Sequence, residues 1–137
     1  MAFSGSRLAA GRVAAGLTQQ RLAQRLQTEQ TRISEWERGV MIPRPNLIPK
    51  LAAAIGLDAL EFLAADPAMP ALEDMRLAAG LTMRDIASQV GISLKRYRLI
   101  EIGATRRDPP PQVVEDLARI FAVPVVTVRR AVDAARL

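Results

Sequence analysis

The sequence predicts an all-α protein of two tandem small domains, each built from five short helices. Three observations predict it. The first is an internal repeat. Arg12, Gly16, Leu17, Thr18, Leu22, Ala23, Arg32, Glu37 and Gly39 are matched 64 residues later by Arg76, Gly80, Leu81, Thr82, Ile86, Ala87, Arg96, Glu101 and Gly103. A repeat of this length is a whole domain, not one unit of a solenoid. The second is punctuation: apolar residues at helical spacing are broken by Gly, Pro and hydroxyl residues. The third is composition. Half of the 137 residues are apolar and 4% are aromatic, so Leu, Ile, Val and Ala must fill two cores. A chain of this length usually forms one domain; the repeat argues for two near the lower size limit. They are expected over 1–64 and 71–137, joined by a linker over 65–70.

The elements follow in order. A helix is expected over about 6–15, stopped at Gly16. Thr18 is a natural N-cap for a helix over 19–26. The next helix spans 30–38 and ends at Gly39. Pro43 and Pro45 mark a loop. Asn46 is a cap candidate for a fourth helix, with Pro49 in its tolerated first turn. Asp58 with Glu61 resembles a capping box for a short fifth helix. The second copy repeats the plan with Thr82 and Ser93 as N-caps. Its loop after Gly103 is two residues longer and carries Arg106 and Arg107 ahead of Pro109, Pro110 and Pro111. Residues 123–128 are β-branched and strand-like by propensity. Their position matches the fifth helix of the first copy, and an isolated strand has no partner. A helix reaching about Ala135 is expected instead.

Composition excludes several functions. The chain carries 19 basic and 14 acidic residues, and both halves, divided after Asp66, are mildly basic. A cationic surface favours nucleic acid first and anionic membrane second, although solubility alone needs some charge. There is no Cys and no His, which removes disulfides, zinc fingers and thiol or imidazole catalysis and fits a reducing cytosol. No apolar run has the length of a membrane span, and the stretch 8–15 is interrupted by Arg12, making it a poor signal-peptide core. Scarce aromatics argue against a stacking platform for single strands. The acidic neighbours Glu73 with Asp74 and Glu115 with Asp116 point in different directions on a helix, so a solvated face is expected. No phosphate-binding Gly loop or metal cluster stands out. No enzyme, metal or cofactor is expected.

The central pattern is two short helices, 19–26 and 30–38, joined by a tight turn. Ala23 and Ala87 hold the same place in the first of these helices, where a small side chain lets the second approach closely. Leu22, Leu26, Ile33 and Trp36, with Ile86, Val90, Tyr97 and Ile100, supply the inward stripe. This pattern resembles the Cro and phage-repressor type of helix-turn-helix, the Xre family, over about 6–63 and again over 71–132. Its specific part is Gly-Leu-Thr, Ala five residues on, then an inward apolar residue and an aromatic or Ile before Glu-x-Gly. The resemblance implies two five-helix Cro/phage-repressor-like domains whose third helix reads DNA.

At about 100° per residue, Ile33 and Trp36 set the inward face of that helix. Thr31, Ser34, Glu35 and Arg38 lie opposite, with Gln30 at the start. The resemblance implies Gln30, Thr31 and Glu35 as base readers. Gln can pair bidentately with adenine and Glu can accept from the cytosine amino group. It also implies Gln19 against a phosphate; Ser34, Arg38 and Arg44 are further phosphate candidates. In the second copy Met83 replaces Gln19. Its outward face holds Lys95, Arg98, Leu99 and Ile102. The two basic residues suit phosphate or guanine. Leu99 suits a thymine methyl, or equally a protein interface that has lost base reading. The resemblance pairs Arg12 with Glu37 and Arg76 with Glu101 as structural ion bridges, not DNA contacts.

The expected protein is a cytoplasmic, bacterial or phage-type transcriptional regulator of the repressor kind, binding double-stranded DNA sequence-specifically. The rivals are an antitoxin-type autoregulator, which also binds a toxin, and a protein-interaction module on a degenerate second copy, favoured by Leu99, Ile102 and the apolar loop Val40, Met41, Ile42. No small-molecule domain follows the second copy, so no ligand is expected. Six linker residues span at most about 20 Å and two are stiffening prolines. The domains should therefore touch, through Leu63, Met69 and Leu72. A homodimer is expected on the surplus apolar surface of Leu99, Ile102, Val125, Val128 and Val132.

Overall fold

The computed structural model describes residues 3–137. Among the described residues the chain is helical, with no strand. The elements are α1 (Gly5–Ala14), α2 (Gln19–Leu26), α3 (Gln30–Glu37), a 3-10 turn (Pro45–Leu47), α4 (Ile48–Ile55), α5 (Leu60–Leu63), α6 (Leu72–Ala78), α7 (Met83–Val90), α8 (Leu94–Ile102), α9 (Pro111–Phe121) and α10 (Val125–Ala135). The first five helices surround one core, centred on Leu8, Leu22, Ile33, Trp36, Leu51 and Phe62. The last five surround a second, centred on Leu72, Ile86, Tyr97, Ile100, Leu117 and Val128. Each fully buried side chain of this size stabilises by about 1.5–3 kcal/mol relative to exposure.

Local chemistry explains where the helices start. Thr18 Oγ1 accepts from the Arg21 amide at 3.0 Å, and Ser93 Oγ from Arg96 at 3.1 Å. Thr82 accepts from Asp85, whose carboxylate accepts in return from the Thr82 amide at 2.9 Å. Each contact satisfies an amide that helix geometry leaves open. Two expected caps differ. Asn46 lies inside the 3-10 turn, which leads straight into α4, so α4 has no side-chain cap. Asp58 accepts from the Leu60 amide at 3.0 Å, but Glu61 does not reach back to close a box, because α5 starts only at Leu60.

The β-branched segment does begin a helix, α10. Val128 and Val132, one turn apart, are fully buried in the second core. That corrects their expected place on a dimer surface: the stripe that makes α10 amphipathic is spent inward. Ile102 and Val125 remain exposed.

Two helix ends adopt the left-handed conformation without glycine: Gln27 and Ala122, both at φ 55°. Their counterparts in the other copy are Gly91 and Gly56, which take that conformation without steric penalty. Both non-glycine residues are exposed, so no packing depends on their side chains.

The two copies pack directly on one another. α6 lies against α4, α5 and the 3-10 turn, and its Leu77 and Ala78 join the first core. Gly80 sits where a Cβ would fall 2.9 Å from Pro49 Cγ. The Arg7 guanidinium donates to the Ala64 carbonyl at the same junction. The expected contact residues are corrected accordingly. Leu63 and Leu72 are buried in separate cores, and Met69 is 63% exposed. Linker residues 65–69 are exposed, and α6 supplies the contact through Leu77 and Ala78. Beside the linker, Asp74 Oδ2 accepts from the Ala71 amide at 2.8 Å. Burial raises the Asp74 carboxyl above its ordinary 3.8, and the Ala71 amide and the Arg7 charge only partly offset this.

Gln27→Gly and Ala122→Gly should each stabilise the fold by about 0.5–1 kcal/mol, the steric relief less the extra chain entropy of glycine, measured by urea denaturation. A native Asp74 with a raised value favours its protonated form, so its stability contribution falls as pH rises from below 3.8 through the raised value. Asp74→Asn keeps an oxygen for Ala71 and does not titrate. Its stability relative to wild type should therefore grow with pH across that window and level off above it. A pH-independent difference would contradict the raised value.

Candidate nucleic-acid interface

The helix-turn-helix geometry rests on close packing of α2 on α3 and of α7 on α8. Ala23 and Ala87 are buried at these crossings. Behind each crossing lies an arginine–glutamate pair. Arg12 Nε donates to Glu37 Oε2 at 2.6 Å and Arg12 Nη2 to Glu37 Oε1 at 3.0 Å, while Nη1 donates to the Leu17 carbonyl at 2.8 Å. Arg76 repeats this with Glu101 at 2.7 and 3.3 Å and with the Leu81 carbonyl at 3.0 Å. One guanidinium thus ties the first helix of each copy to the end of the third and to the turn before the second. The hydrogen bond to Glu37 raises the Arg12 value. Burial opposes the Arg76 charge most strongly, but Glu101, with smaller help from Tyr97 and Glu73, turns the net shift upward.

The third donor to each carboxylate differs between copies. In the first, Gln19 Nε2 donates to Glu37 Oε1 at 3.1 Å. In the second, Met83 has no such group, and the Tyr97 hydroxyl donates to Glu101 Oε1 at 3.0 Å. Burial first, then the Glu101 carboxylate, pushes the Tyr97 phenol far above its ordinary value, so it remains a donor.

In the first copy Gln30, Thr31, Arg38 and Arg44 are exposed and Ser34, Glu35 and Gln19 half-buried. Arg38 Nε donates to Ser34 Oγ at 3.2 Å, laying the guanidinium along the outer face of α3. Thr31, Glu35 and Arg44 line one groove between α3 and the loop that follows it, together with Glu29, Arg32, Met41 and Ile42 among others. The second copy has the matching groove beside α8, lined by Arg96, Leu99, Arg106, Arg107 and Asp108. Lys95 and Arg98 are exposed on α8 and Leu99 is half-buried. Arg136, at the end of α10, pairs with Asp108 and donates to the Arg106 carbonyl at 3.4 Å. The C-terminal helix thus braces the arginine loop. The basic groove residues Arg32, Arg96, Arg106 and Arg107 had no role assigned from sequence. The signal for the last two was the two-residue insertion that carries them.

Two short helices crossing around a small residue, with a polar outer face on the second, define a DNA-binding module. Models of the families described as "Helix-turn-helix" and "Helix-turn-helix domain" match residues 8–62 and 71–131. The chain belongs to the Xre-like helix-turn-helix family, with the unit present twice. At that level it is a DNA-binding regulator. No curated protein and no solved structure matches it. No helix of the described residues is long and apolar enough to cross a membrane, and none of their acidic side chains gather into a metal-holding group.

Glu101 and Arg76 are almost fully withdrawn from water, at 4% and 8% side-chain exposure. Glu101→Ala strands both Arg76 and the Tyr97 hydroxyl and should cost about 3–5 kcal/mol of stability. Glu37→Ala leaves Arg12, at 14%, nearer to water, and should cost less. Equilibrium urea denaturation measures both; a Glu101→Ala loss below about 1 kcal/mol would mark the pair as an ordinary surface bridge.

Proposed function

We propose that the chain is a sequence-specific double-stranded DNA-binding transcriptional regulator of the repressor type, in which the first copy reads bases and the second grips the backbone. The contrast between the two grooves carries this reading. Around α3, Arg32 and Arg44 are balanced by Glu29 and Glu35, and Arg38 is the further cation on the outer face, beside directional hydrogen-bonding groups on Gln30, Thr31 and Glu35. Such groups discriminate base edges and add little non-specific attraction. Around α8, Arg96, Arg106 and Arg107 face a single acid, Asp108, and Arg136 already neutralises it. Lys95 and Arg98 add to that field. Clustered cations contact phosphate whatever the sequence and release counterions. Gln19 contributes its amide to the Glu37 carboxylate; on this reading its remaining N–H is what meets a phosphate.

The protein-interaction alternative has one specific observation in its favour: Ile102 is 60% exposed at the end of α8. Lys95, Arg96 and Arg98 on the same helix weigh against it, since withdrawing cations from water without anionic partners is costly.

The two roles separate in a salt titration on selected duplexes. Gln30→Ala with Thr31→Ala should lose about 1–3 kcal/mol per base contact and relax the preferred sequence, with the salt slope unchanged. Arg106→Ala with Arg107→Ala should weaken all sequences alike and lower the slope by about 1 per residue. Unaltered sequence preference in the folded first variant would refute base reading by α3. An unaltered slope in the second would refute the backbone grip.

A further inference from the structure

A cavity of about 220 Å³ opens between the linker, the start of α6, the end of α8 and α10. Its wall is mostly apolar, with Ala68, Pro70, Leu72, Ala131 and Ala134 contributing. The corresponding place in the first copy is built differently, with Ser4, Arg7 and Ala65 lining an opening that also meets Glu73 and Asp74 of α6. There α1 starts at Gly5, pressed so near the end of α3 that a Cβ would fall 2.3 Å from the Trp36 carbonyl oxygen. Phe3 then sets its ring edge-on against Phe62, with centroids 6.2 Å apart. In the second copy the counterpart of Gly5 is Met69, and α6 starts only at Leu72, almost one turn later in register. The counterparts of Phe3 and Phe62 are Pro67 and Val128, so the ring pair is missing.

We propose that this cavity binds a small monocyclic aromatic carboxylate, of the size of phenylacetate. Volume argues for one ring: an apolar cavity of about 150 Å³ holds benzene, so this one accepts a ring with a short substituent. The charge of the lining argues for the carboxylate. Glu101 borders the cavity, but Arg76 and Tyr97 already satisfy it. Arg130 is exposed at the lining and makes no hydrogen bond or ion pair among the described residues. A carboxylate there gains a charge-assisted hydrogen bond, and the Thr127 hydroxyl is a second donor beside it. The ring packs on Leu72 and Ala131. An occupant bridges the linker and α10 over the end of α8, the same helix whose basic groove α10 braces through Arg136.

The test is an amide-shift titration of the full chain with phenylacetate, using benzyl alcohol as the uncharged probe. It needs no DNA, so its outcome is independent of the proposed base reading. Saturable shifts are expected at Ala68, Thr127, Ala131 and Ala134. Arg130→Gln should weaken phenylacetate at least tenfold and leave benzyl alcohol unchanged. Ala131→Leu should fill the cavity and abolish both; if that variant does not fold, the more exposed Ala134→Leu replaces it. No saturable shift at these residues with about 10 mM probe, well above a 1 mM dissociation constant, overturns the site. Phenylacetate binding that survives Arg130→Gln overturns the carboxylate assignment, and binding that survives the filled variant overturns the cavity.

Discussion

The buried arginine–glutamate pair is the constraint on which each half of the molecule depends. A guanidinium withdrawn from water is tolerable only if its donors are met. Arg12 and Arg76 meet theirs with a carboxylate at the end of the third helix and a carbonyl in the turn before the second. Those partners lie on separate elements, so the pair fixes three segments at once. Apolar packing alone is non-directional and would tolerate small rotations of α3 or α8 about their axes. The bidentate contact tolerates fewer, and the face that each helix turns outward follows from it.

The copies have diverged around that shared frame. The first completes its carboxylate with Gln19, from the start of α2; the second does so with Tyr97, from within α8. The change moves a polar group off the second copy's α7, where Met83 now stands, and into its core. The outer faces diverge too, with amide and hydroxyl groups on α3 and cations with Leu99 on α8. On the proposed reading the duplicated unit separates specificity from attraction, because base edges demand geometry and phosphates demand only charge.

The termini of the domains differ for a packing reason. In the first copy α5 has four residues, and the chain must then leave for the second domain. In the second, α10 runs for eleven and reaches the loop after α8. The longer helix meets the linker and the start of α6 around the cavity. The junction itself is made by α6, whose outward Leu77 and Ala78 serve the neighbouring core. Two domains near the lower size limit thereby share apolar burial that neither has alone.

The all-α class, the two-fold repeat and the starts of α2, α7 and α8 are legible in the amino acids alone, because Thr18, Thr82 and Ser93 act on amides three residues away. The sequence also determined that residues 125–128 are helical despite their β-branched side chains, since the register of the repeat outweighs local propensity. Tertiary structure decided what depends on contacts distant along the chain. Asn46 lost its capping role to a 3-10 turn that runs directly into α4. Met69 stayed in solvent because α6, not the linker, makes the junction. Val128 and Val132 turned inward because α10 has one apolar stripe and a core to cover. The polar face of α3 was legible from helical periodicity. The carboxylate contact of Gln19, the bracing of the arginine loop by Arg136 and the cavity over Glu101 were not. Each joins residues whose separation along the chain carries no periodic signal, so only the packed fold brings them together.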